Sequence, residues 1–176
     1  RTQVIIIPRI SQEALSMHLV KENSIEERSA QTIAGFSEGN FIRALELIED
    51  DESNIAYRDQ FMSLMRCTFK KDVIAMLDWA EDIAAVSKER QKLFILYSLH
   101  MLRQSLVKNY IGMGTLQVSA EEAAFINKFS PYISGNNISE FLSCFDEAYY
   151  RIERNAFAKL LFTQLCFQSM RYIHQA

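Results

Sequence analysis

The sequence predicts an all-α protein: a small three-helix unit followed by a larger helical bundle, with one short orphan strand at the N-terminus. Three observations predict it. Glycine and proline are scarce, at 5 and 2 of 176 residues, so little interrupts a helix. Apolar residues recur at 3- and 4-residue spacing along most of the chain, the period of a helix with one buried face. Serine and asparagine stand just ahead of those stretches, where a side-chain oxygen can take a free backbone N–H.

The elements follow in order. Arg1-Thr2-Gln3 runs into Val4-Ile5-Ile6-Ile7-Pro8, and four β-branched residues before a proline predict a strand buried on both faces. A strand needs neighbours for its backbone hydrogen bonds. With no second strand predicted, residues 1–10 read as the end of a missing domain and the chain as a fragment. Ser11 then caps a helix over about 12–21, with Leu15, His18 and Leu19 on one face. Ser24-Ile25-Glu26-Glu27 is a capping box. The helix it opens carries Ala30, Ile33, Ala34 and Phe36 inward and stops at Ser37-Glu38-Gly39, where glycine can turn left-handed. Asn40 caps a third helix through Phe41, Ala44, Leu45 and Ile48, expected to fray in the acidic run Glu49-Asp50-Asp51-Glu52.

Longer helices follow this unit. One spans about 54–66, with Phe61, Met62 and Met65; a second covers about 70–86, with Val73, Leu77, Ala80 and Ala84 on its inner side. Ser87 caps a third, over about 88–109, apolar nearly all round from Leu93 to Leu102 and therefore central to the bundle. Gly112 and Gly114 break the pattern. Ser119-Ala120-Glu121-Glu122 is a second capping box, opening a short helix that ends before Pro131. Asn137 with Glu140 caps the next, to about Arg154, and the last runs from about Asn155 to His174.

Composition excludes several function classes. Apolar residues are 49% and charged residues 23%, the balance of a folded protein. A net charge of −3 supplies no basic field for phosphates, which disfavours nucleic-acid binding by this chain alone. Cys67, Cys144 and Cys166 have neither disulfide nor zinc spacing and read as small apolar residues in a reducing cytoplasm. No apolar run reaches transmembrane length, and no signal peptide is present, so a cytoplasmic location is expected. His18, His100 and His174 form no metal triad by spacing, and Trp79 and the Tyr149-Tyr150 pair read as packing residues. With no phosphate loop, nucleophile constellation or motif-placed carboxylate pair, no enzyme and no cofactor is expected within the chain.

Three places carry a resemblance. Arg1-Thr2-Gln3, the apolar strand and Pro8-Arg9-Ile10-Ser11 resemble the end of the Ser-Arg-Cys motif of AAA+ clamp-loader subunits. Ile33-Ala34-Gly35-Phe36-Ser37-Glu38-Gly39-Asn40 resembles the junction between the second and third helices of the AAA+ lid. The long helices, including Arg151-Ile152-Glu153-Arg154-Asn155-Ala156, are similar to the collar that gathers clamp-loader subunits into a ring. Hydrolysing members open the third lid helix with Gly-Ser-x-Arg-Asp-Ala-Leu, whose arginine senses the γ-phosphate. Here Gly39-Asn40-Phe41-Ile42-Arg43-Ala44-Leu45 sets Ile42 at that position, with Arg43 turned about 100° away. This departure makes the chain resemble the delta-prime type of bacterial DNA polymerase III clamp-loader subunit.

The resemblance implies residues 1–10 as the end of an AAA+ core, 11–52 as a three-helix lid, and 53–176 as a helical collar. It implies assembly of the clamp loader for DNA replication. Other loader subunits would be met through the collar, sliding clamp and primed DNA only through the whole complex, and no membrane. Arg1 is the candidate arginine finger acting on a neighbour's ATP site, inactive in this fragment. The last helix, apolar on more than one face, is either core or interface; the resemblance favours interface and nominates Phe157, Leu161, Leu165 and Met170. Two alternatives stay open: a gamma/tau-type ATPase subunit, which Ile42 argues against, and a helical scaffold or adaptor unrelated to replication.

Overall fold

The computed structural model describes residues 9–23, 27–37, 39–48, 51–112, 116 and 118–175. Their α-helices are α1 (Gln12–Asn23), α2 (Glu27–Ser37), α3 (Phe41–Ile48), α4 (Asp51–Lys70), α5 (Val73–Ala85), α6 (Lys88–Ile111), α7 (Ala120–Phe129), α8 (Ile138–Glu153) and α9 (Ala158–Ile173). A single 3-10 turn, Ser130–Tyr132, follows α7. The fold is all-α. Arg1, the strand over residues 4–7, the Ser24–Glu26 part of the first capping box, Gly114, and the side chains of Phe36, Arg43 and Ile48 lie outside the described residues.

The chain divides into two compact units, Arg1–Glu52 and Ser53–Ala176. In the first, α1 and α3 each pack on α2, burying Leu15, Leu19, Ala30, Ile33, Ala34 and Ala44. Ser11 Oγ accepts from Ala14 N–H at 3.3 Å and starts α1. His18 is exposed, its ring edge-on to Phe41 at 5.1 Å. Gly39 takes φ +79°, and its carbonyl accepts from Ile10 N–H at 3.2 Å. A Cβ there would stand 2.4 Å from the Ile10 carbonyl oxygen and 2.9 Å from Arg9 Cβ. Both the left-handed turn and the close approach require glycine.

In the second unit α6 is central, packed against α7 and α8, while α9 packs against both α5 and α8. Phe61, Phe94, Phe141, Phe145 and Phe162 are its largest fully buried rings. Trp79 meets Phe94 and Phe162 at 5.5 and 5.9 Å and donates Nε1–H to the Gln60 carbonyl at 3.1 Å, so the packing reading of this tryptophan holds. The Ser119 capping box is complete: its oxygen accepts from Glu122 N–H, and the Glu122 carboxylate accepts from Ser119 N–H at 2.7 Å. Glu122 also accepts from the buried Tyr97 hydroxyl at 2.5 Å, tying α7 to α6. Burial first, and then the facing Glu122, push the Tyr97 hydroxyl far above its ordinary ionisation range.

Four local expectations differ from the structure. α4 begins at Asp51, inside the acidic run where the sequence predicts the fraying end of the third helix. Of the residues expected inward on α5, Ala80 is buried and Ala84 half-buried, but Val73 and Leu77 are exposed, and Met76, Trp79 and Ile83 complete the buried face. Apolar residues surround most of this helix, so its period admits two phases, and the large Trp79 ring decides between them. Asn137 gives α8 no side-chain cap. Its buried amide spans the loop instead, donating to the Tyr132 and Tyr172 carbonyls at 3.0 Å and accepting from Ser134 N–H at 2.9 Å. Finally, the last helix starts at Ala158, because Asn155 takes φ +59° and ends the preceding turn.

Candidate subunit interface

α9 carries the four nominated residues, and the structure separates them. Leu161 is 6% exposed and Leu165 1%, and both sit in the second unit's own core with Phe162, Cys166 and Ile173. These two are therefore core positions. Their spacing matched that of an interface stripe, but α9 has α5 on one side and α8 on another, so it buries more than one face. Met170 is half-buried. Phe157, at the N-cap position, is 73% exposed.

The other outward apolar residues are Leu160 and Phe167 on α9 and Val73, Ile74 and Leu77 on α5. Lys159 Nζ contacts Glu81 Oε2 at 2.9 Å, and Cys166 Sγ lies 3.6 Å from the Met76 carbonyl. These two pairings run in opposite chain directions, so α5 and α9 are antiparallel. The three-residue spacing of Ile74 and Leu77 puts both on one stripe. With Val73 and Leu77 assigned inward, no outer apolar face of α5 was expected.

On the other side of α9, an open groove of about 360 Å³ is lined by Ser139, Glu140, Ser143, Cys144, Glu147, Gln168 and Tyr172. Its polar groups largely satisfy one another. Cys144 Sγ donates to Gln168 Oε1 and Ser139 Oγ to Glu140 Oε2, both at 2.9 Å, and Glu147 accepts from Arg151, outside the groove, at 2.7 Å. Burial, with Glu147 nearby, pushes the Cys144 thiol up to about 12, so it is protonated at neutral pH and makes no nucleophile. Burial likewise raises Cys67 and Cys166; all three thiols are free.

In the first unit, Ile42 on α3 is 70% exposed. An aliphatic side chain there offers no charge or donor to a phosphate. Among the described residues, no group of three His, Cys, Asp or Glu could hold a metal ion, and no helix is long and apolar enough to cross a membrane. Comparison with family models, curated proteins and solved structures finds no match to this chain.

Proposed function

We propose that this chain is the lid-and-collar portion of a bacterial clamp-loader subunit of the delta-prime type, serving assembly of the loader rather than ATP hydrolysis. The observation that carries this reading is the α2–α3 junction. Ser37 Oγ donates to the Ala34 carbonyl at 3.0 Å, Gly39 turns left-handed, and Ile42 stands exposed on the first turn of the next helix. The junction resembles that of an AAA+ lid, and a hydrolysing subunit would need a cation where Ile42 stands. That same residue disfavours the gamma/tau-type alternative.

Under this reading the first unit is the lid and the second the collar, whose exposed apolar residues Phe157, Leu160 and Phe167 meet other loader subunits. Isothermal calorimetry on the chain is expected to show no ATP binding. Co-purification with the remaining loader subunits is expected to retain it, and Phe157→Glu or Leu160→Glu to release it while helicity stays intact. Micromolar ATP binding, or no association with any loader subunit, would overturn the reading.

A further inference from the structure

α5 carries an outer face whose chemistry changes along its length. A helix turns about 100° per residue, so Ile74, Leu77, Asp78 and Glu81 share one stripe, with Asp82 beside it; all five are exposed. Ile74 is 74% exposed, and Val73 and Leu77 beside it on α5 are exposed too, at 44% and 42%. Just before this stripe stand three exposed cations, Arg66 and Lys70 in the last turns of α4 and Lys71 in the connecting turn. The order along the chain is basic, apolar, acidic; Asp72, between the lysines and the apolar residues, is the N-cap, and its carboxylate accepts from Ala75 N–H. Lys70, Lys71, Asp78 and Asp82 make no ion pair with another described residue. Among the described residues Glu81 pairs with Lys159, and both partners are exposed, which makes that pair weak.

A surface with this order is complementary to itself when turned end for end. In a two-fold contact, residue i meets j while j meets i. Centred between Ile74 and Leu77, an antiparallel second α5 would set each Ile74 on the partner's Leu77. At 1.5 Å per residue, Lys71 then stands about 7 Å from the centre, level with the acidic residues that begin about 4 Å and end about 10 Å beyond it. A parallel arrangement would oppose like charges at both ends.

We propose that this face is a self-association surface, through which two copies of the chain pair antiparallel along α5, apolar centre to apolar centre and lysines to carboxylates. The proposal does not rest on the clamp-loader reading. Sedimentation equilibrium over a concentration series is expected to show a monomer–dimer equilibrium that weakens as salt screens the end pairs. Ile74→Asp is expected to weaken it at least about tenfold, a loss of roughly 1.4 kcal/mol or more. The double variants Lys70→Glu/Lys71→Glu and Asp78→Lys/Asp82→Lys should each lose dimer when alone, and an equal mixture of the two should recover it. Circular dichroism checks that each variant keeps its helicity. The charge variants alter only exposed side chains, so they decide the matter if Ile74→Asp does not fold. A chain that is monomeric throughout, with the face left to some other protein or to none, overturns the proposal. So does a dimer indifferent to these substitutions, or a mixture that fails to recover it.

Discussion

At the scale of single residues, burial governs the chemistry. Cys144, Cys166 and Cys67 are free thiols in the core of the second unit, and desolvation is the first cause that raises each of them. The consequence for stability has a definite sign. An unfolded thiol ionises near pH 9, while Cys144 holds its proton up to about 12. Between those values only the unfolded chain gains by ionising. The contribution is therefore full below pH 9 and is lost as pH climbs towards 12, at up to about 1.4 kcal/mol per pH unit for each thiol. Denaturant unfolding measured from about pH 8 to 11 should show a shallower fall for Cys144→Ala than for the parent chain. Identical slopes would mean that this thiol is not held protonated by burial. Gly39 carries a second residue-scale expectation. Gly39→Ala puts a side chain at φ +79° and against the Ile10 carbonyl, costing at least about 1–2 kcal/mol from the left-handed backbone alone. Thermal melting of the first unit reads this loss; an unchanged melt would mean that the Arg9–Ile10 crossing is not held there.

Among the elements, α9 is the one whose faces matter most. Leu161→Glu would leave a carboxylate without a partner among Phe162, Leu165 and Cys166 in the core, and it is expected to unfold the second unit. The gentler Leu161→Ala should cost about 2–5 kcal/mol in denaturant unfolding. Phe157→Glu, on an exposed ring, should change stability by no more than about 0.5 kcal/mol. Equal destabilisation by the alanine variant and Phe157→Glu would contradict the faces assigned here. α4 teaches a different lesson. The sequence marks a helix terminus at the acidic run, and α4 begins within it, at Asp51. Charge alone marks a helix terminus without saying which helix it belongs to.

For the molecule as a whole, the two units differ in how much core they hold. The described core of Arg1–Glu52 rests on two leucines, an isoleucine and small alanines. That of Ser53–Ala176 contains five fully buried phenylalanines besides its aliphatic residues. A unit of such small size buries little apolar surface per residue and is marginal by itself. Hydrogen exchange followed by mass spectrometry is expected to show amides of α1–α3 exchanging well before those of α6 and α8. Equal protection across both units would show that the small unit draws stability from elsewhere.

Helix content was legible from residues alone, because capping and periodicity act over three or four neighbours. The Ser119 box, the Ser87 cap and the α2–α3 glycine turn needed no tertiary information. The fold class followed from the same short-range rules. Only the packed structure could say which apolar residues on α5 and α9 face inward, since both helices are apolar over more than one face and periodicity then leaves the phase open. Trp79 and the α5–α9–α8 packing settle that phase, moving Leu161 and Leu165 into the core and leaving Ile74, Leu160 and Phe167 outside. Asn137 was misread for a related reason. A cap is a local bond, but this amide reaches Tyr172, thirty-five residues away in sequence, and a long-range partner leaves no mark on the sequence around it.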